Sequence, residues 1–164
     1  MRTYNETTVR IAQFLGATPV NVAMVDVGKA LADGRVDSII TSAVTGVENR
    51  VWDHVRYYYE INAWYPKNIV LVNQQRFNAL PEGAKAALML AAESAELRGW
   101  NASERAAQES VETLRRNGVK IGATPPGLER EIQGIGERFS SEWVKAVGPD
   151  ALEVFIPYFM ASSK

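Results

Sequence analysis

The chain has no cysteine and a single histidine, His54, among its 164 residues. The first absence excludes disulfides, thiolate catalysis and cysteine-ligated metals, but leaves the compartment open. The second excludes paired-histidine catalysis and histidine-rich metal sites. Basic blocks are missing too: 18 Lys and Arg are scattered among 19 Asp and Glu, for a formal net charge of −1. No face for a nucleic acid is implied, and Arg115-Arg116 reads as solvated helix surface. No apolar run approaches the ~20 residues that span a bilayer. The first twenty residues also lack the apolar stretch behind a basic start that marks an export leader. What is present, 46% hydrophobic and 23% charged residues, is ordinary for a globular chain of one domain or one and a half.

The organising element is a run that meets neither proline nor a terminal glycine between Pro81 and Asn117-Gly118. Proline at the start and glycine just past the end punctuate a helix. Its roughly 35 residues would extend about 50 Å, more than the diameter of a compact domain of this size. Such a helix spans two domains or packs against another chain.

Before it, Asn5 or Thr7 caps a helix that Gly16 stops, and Pro19-Val20-Asn21-Val22 reads as a strand. Asp26 starts a second helix, ended by Asp33-Gly34, and residues 36–41 form a second, buried strand. This alternation favours an α/β unit with parallel strands. A helix is expected over 47–55, then extended segments over 56–64 and 67–73, with Asn73 capping a short helix. Past Gly118 come a brief strand at 119–121, a helix opened by Pro125-Pro126 and broken at Gly148-Pro149, and a last helix containing Pro157.

Local catalytic chemistry is weak. His54 has the spacing of helix surface, and Ser38 and Ser42 lack an activating base. Gly134-Ile135-Gly136 follows no strand and is no phosphate loop. An enzyme built on Arg2 with Asp37 or Asp53 has no positioned base. A binding constellation remains. Arg2 precedes the first helix, and Thr41-Ser42 lies at the carboxyl end of a buried strand, where open α/β sheets take ligands. An arginine can hold a carboxylate by two charge-assisted hydrogen bonds. Trp64 and Tyr65 could form an apolar wall.

Several segments follow one another at a familiar spacing: Arg2-Thr3-Tyr4-Asn5, then Gly16-Ala17-Thr18-Pro19, then Ala30-Leu31-Ala32-Asp33-Gly34-Arg35-Val36-Asp37. Asn68-Ile69-Val70-Leu71-Val72-Asn73 and the run from Leu80 to Leu88 continue the series. Together they resemble the substrate-binding subunits of tripartite ATP-independent periplasmic (TRAP) transporters, over at least residues 2–121. The resemblance implies a periplasmic-binding-protein-like lobe, a mixed sheet flanked by helices, with the long helix running along both lobes. On that reading residues 2–66 form the second, ligand-binding lobe. Residues 67–118 form a crossing strand and the inter-lobe helix, and 119–164 pack back on the lobe.

The implied function is extracytoplasmic capture of a small organic carboxylate, including dicarboxylates, and delivery to TRAP membrane subunits, with no cofactor, metal or catalysis. Arg2 matches the carboxylate-binding arginine of the family. Tyr4, Thr41, Ser42, Trp64, Tyr65 and Asn68 complete the expected ligand-binding set. Relatives often carry asparagine in a "GQEN" segment where this sequence has Thr41, so the ligand's partner group differs. The aromatic Tyr4, Trp64 and Tyr65 suggest a ligand with an apolar or aromatic body. The chain reads as the second lobe of a periplasmic protein without its leader and most of its first lobe. A helix face including Ala87, Leu88, Ala91 and Ala95 is then expected to lie exposed and to drive homo-oligomerisation. The rival reading is a helical, self-associating interaction module with no small-molecule ligand.

Overall fold

A computed structural model describes residues 1–62 and 68–162. The chain opens with strand β1 (Arg2–Thr3) and helix α1 (Glu6–Phe14), followed by β2 (Val20–Asn21). A 3-10 turn (Met24–Asp26) leads into α2 (Val27–Ala32), and α3 (Ala43–Glu48) precedes a second 3-10 turn (Val51–Asp53) and β3 (Tyr57–Tyr59). Beyond residue 67 come α4 (Gln74–Asn78), the long α5 (Glu82–Arg116), β4 (Lys120–Gly122), α6 (Pro126–Val147) and α7 (Asp150–Ser162).

The strand pairs are parallel and form two small sheets. In the first, Arg2 lies opposite Val20 and Thr3 opposite Asn21, and Ile39 bridges Arg2 from the other side. In the second, β3 pairs β4 from Tyr57–Lys120 to Tyr59–Gly122. This is the expected α/β architecture, helix-rich and with sheets flanked by helices.

Two apolar clusters hold it together. The larger gathers Val22, Val27, Ala30, Leu31, Val36, Ala43, Val51, Leu114 and Val119. The smaller sets Met1, Ile11 and Ala12 against Ile135 of α6. Helix α6 is fastened further at its surface: Arg10 donates to both carboxylate oxygens of Glu142 at 2.8 Å, and Phe14 meets Phe139 edge-on at 6.1 Å.

Helix α5 has the 35 residues expected, about 52 Å at 1.5 Å per residue. Only Ser110 and Leu114 of it are buried, both near its carboxyl end. The face with Ala87, Leu88, Ala91 and Ala95 is exposed, as the sequence led one to expect, and so are Leu97 and Trp100.

Three local expectations need correction. The strand over 36–41 shrinks to the single bridge at Ile39, because β1 pairs it on one side only and Asp37 and Ser38 are exposed. The helix expected over 47–55 starts at Ala43 instead, since the Ser42 hydroxyl caps the Thr45 N–H at 3.1 Å. It ends by Arg50, whose left-handed φ of 47° breaks the helical run. Residues 68–72 form no strand: Val70 is 99% exposed, and no neighbouring strand among the described residues pairs this backbone.

Candidate functional site

Parallel strands leave their last carbonyls and the following loops at one edge of a sheet, and that edge here carries Tyr4, Val22 and the Thr41-Ser42 pair. Helices begin immediately after two of the strand ends. Asn5 caps α1: its side chain accepts the Thr8 N–H at 2.9 Å, and the Thr8 hydroxyl in return accepts the Asn5 N–H at 3.1 Å. That hydroxyl also accepts the Tyr4 N–H at 3.0 Å, so the cap fixes the backbone of Tyr4.

Arg2 precedes the first helix, as expected, and does so from within a strand. It sits in β1, where its N–H donates to the Ser38 carbonyl at 2.7 Å, and it is only 3% exposed. Its Nε donates to the Val22 carbonyl at 3.1 Å. The guanidinium carbon lies 4.4 Å from the centre of the Tyr4 ring. Among the described residues no carboxylate pairs with this cation. Burial pushes its pKa below the ordinary arginine value, partly offset by the Tyr4 hydroxyl. A buried cation lacking a counter-charge is costly, and an anionic ligand is one way to supply it.

The other expected residues fall into different places. Tyr4 joins Arg2, with 44% of its surface exposed. Thr41 and Ser42 line an open cleft of about 630 Å³ together with the Ile39 segment, β3, Leu114, Val119, Leu128 and Ile132. Arg2 is not among the residues that line that cleft, although its neighbours Met1 and Ile39 are. Asn68 is exposed, while Trp64 and Tyr65 lie outside the described residues.

Sequence reasoning missed the Val22 carbonyl and the Thr8 hydroxyl. The Asn5-x-x-Thr8 spacing, a capping box, was the signal for the second; a backbone carbonyl gives none. It also missed His54, Arg56 and Tyr58 along the cleft, where burial raises the Tyr58 pKa. Among the described residues no group of acidic or histidine side chains could hold a metal ion, and none of the helices is long and apolar enough to cross a membrane.

A lobe of this architecture, with a lone arginine at its strand ends, has the form of half a binding protein, and comparison with known proteins agrees. The model of the bacterial extracellular solute-binding proteins of family 7 (DctP) matches residues 1–139. Among solved structures, DctP7 of Bordetella pertussis, an extracytoplasmic solute receptor binding pyroglutamic acid, is 36% identical with a TM-score of 0.82, covering 96% of this chain and 52% of its own. DctP6 of the same organism, also binding pyroglutamic acid, is 35% identical with a TM-score of 0.80, over 92% of this chain and 50% of its own. A TRAP solute binding protein from a marine metagenome, specific for pyroglutamate, is 33% identical with a TM-score of 0.78, over 92% and 49%. No curated protein gives a significant match. The chain thus spans about half the length of the solved relatives it matches. It belongs to family 7 of the bacterial extracellular solute-binding proteins, whose solved members include TRAP substrate-binding proteins. The rival reading, an interaction module without a small-molecule ligand, finds no support in these matches.

Proposed function

We propose that this chain is the arginine-bearing part of an extracytoplasmic receptor that captures a small organic carboxylate and delivers it to TRAP membrane subunits, without catalysis. The observation that carries this reading is Arg2: buried, held by the Val22 carbonyl, and paired with no carboxylate among the described residues. The relatives at 33–36% identity bind pyroglutamate, and a small cyclic acid of that kind is the ligand proposed here. Its carboxylate would take the Arg2 guanidinium, and Thr41 and Ser42, which line the cleft beside the Ile39 bridge, are proposed as further contacts. Tyr4, Trp64, Tyr65 and Asn68 remain proposed contacts. Binding would act by population shift, favouring a closed receptor.

In this reading residues 2–66 are the ligand-binding lobe, 67–118 the crossing segment and inter-lobe helix, and 119–164 the segment returning to the lobe. The receptor would work in the periplasm. The exposed apolar residues of α5, among them Leu88, Leu97 and Trp100, support self-association of the chain as it stands. Sedimentation velocity should show a dimer or larger species that the pair Leu97→Glu and Trp100→Glu dissociates. A monomer at all concentrations would count against it. For the ligand, native mass spectrometry with added pyroglutamate should show a one-to-one adduct, lost in Arg2→Met. An adduct that persists in the variant would refute the clamp.

A further inference from the structure

Arg2 is held on three sides by groups that do not themselves carry negative charge, and the arrangement of those groups is specific. The Val22 carbonyl fixes Nε, the Ser38 carbonyl fixes the main chain, and the Tyr4 ring covers one face of the guanidinium at 4.4 Å. Tyr4 is two residues on from Arg2, so in an extended chain both side chains leave the same side of the strand. Extended backbone alone would let the ring turn away. The backbone from which the ring projects is held by the buried Thr8, 3% exposed, whose hydroxyl accepts the N–H groups of Tyr4 and Asn5 at 3.0 and 3.1 Å. The cap of α1 therefore fixes the main chain of Tyr4, and the ring projects from that fixed point to the Arg2 guanidinium.

We propose that Tyr4 is a positioning residue: anchored by Thr8, its ring orients the Arg2 guanidinium for a ligand carboxylate and does not serve mainly as a wall against the ligand's body. This rests on the carboxylate reading above and deepens it. The physical ground is that an arginine side chain carries several rotatable bonds. Orienting it before the ligand arrives removes an ordering cost from binding. A face-on ring also stabilises the charge that burial penalises, without neutralising it, and so leaves the nitrogen edge for the incoming anion.

The consequence separates aromaticity from hydroxyl chemistry. Phenylalanine at position 4 keeps the ring and should keep the orientation of Arg2; leucine fills space without a π face and should not. Thr8→Ser should behave as wild type and Thr8→Val as an attenuated Tyr4→Leu, because only the former keeps the hydroxyl that anchors residue 4.

The test uses the whole chain with two readouts. The first is the NMR signal of the Arg2 Nε–Hε group, which reports the ring over the guanidinium and the hydrogen bond to Val22 without any ligand. The second is pyroglutamate affinity by calorimetry. Tyr4→Phe should keep the Nε–Hε resonance and its slow exchange, and should lose clearly less affinity than Tyr4→Leu. Tyr4→Leu should move the Nε–Hε resonance, speed its exchange with water, and weaken pyroglutamate by roughly five- to thirty-fold, the value of a partly desolvated cation–π contact. An Nε–Hε signal and an affinity both unaltered in Tyr4→Leu would overturn the proposal. So would Tyr4→Phe losing as much affinity as Tyr4→Leu, since the hydroxyl would then be the contact. A wild-type chain that binds no pyroglutamate would count against the carboxylate reading instead, and the Nε–Hε signal would still decide the role of Tyr4. Circular dichroism of each variant separates loss of the site from loss of the fold.

Discussion

Replacing Leu114 with alanine removes the one large, fully buried side chain by which the 35-residue helix α5 is anchored in the lobe. Leu114 is 1% exposed and shares a cluster with Val51 and Val119. The truncation deletes about three carbon groups, which at ~0.8 kcal/mol each amounts to roughly 2.4 kcal/mol of lost transfer energy. The cavity term adds to this, because the facing position on α3 is Gly46, which has no side chain to move in; a Cβ built there would stand 3.7 Å from Leu114 Cδ2. The expected loss is therefore about 3–4 kcal/mol, the middle of the usual range for such changes. Against a total stability on the order of 5–15 kcal/mol that is a large fraction.

Urea unfolding followed by the fluorescence of Trp52, which packs against this cluster, is a suitable assay. The midpoint should fall while the slope stays constant. Leu97→Ala, at a position 65% exposed on the same helix, is the control and should change monomer stability by no more than about 0.5 kcal/mol. A cost below about 1 kcal/mol for Leu114→Ala would refute the anchoring argument, since burial of this kind leaves no cheaper outcome.

Two further outcomes follow from local chemistry. The Arg10 guanidinium, by hydrogen bond and charge, holds the Glu142 carboxyl below its ordinary value of 4.5. A carboxyl depressed in the folded state contributes stability above its unfolded pKa and loses it as pH falls through the folded one. The α1–α6 pairing should therefore weaken only below about pH 4.5, and Trp143 fluorescence in Glu142→Gln should lack that acid transition; an identical titration would count against it. Gly34 has a φ of 68° with nothing within 4 Å of a built Cβ, so Gly34→Ala should cost only the left-handed backbone penalty, about 1–2 kcal/mol by thermal unfolding. A stabilising effect would contradict the turn geometry.

Legibility in the sequence followed the length of each element. Helices α5 and α6 were bounded correctly because Pro81 and Pro125-Pro126 open them, and Gly118 and Gly148, both at positive φ, lie past their ends. The cap at Asn73 was legible for the same reason: one residue type, one local job. The two-residue strand of Arg2 was not, because periodicity needs more residues than β1 contains. Residues 68–72 read as a strand from their β-branched content, yet a strand is a pairing, and no neighbouring strand among the described residues supplies one. The Arg10–Glu142 pair joins positions 132 apart, beyond any local pattern.

As for the site, the type of each residue was readable while its partner was not. That Arg2 is a candidate could be seen; that the Val22 carbonyl and the Tyr4 ring contact it could not, because both depend on how β1 and β2 align. Thr41 and Ser42 were expected at the end of a strand; they follow the single bridge at Ile39 and line a cleft that Arg2 does not.

The central claim, that the buried Arg2 exists to receive a carboxylate, is tested most directly by comparing pyroglutamate with its primary amide in one calorimetric titration. The two differ in charge and hardly in shape. A charge-assisted pair in a desolvated site predicts that the amide binds at least about tenfold more weakly. Equal affinity for the acid and the amide would contradict the account.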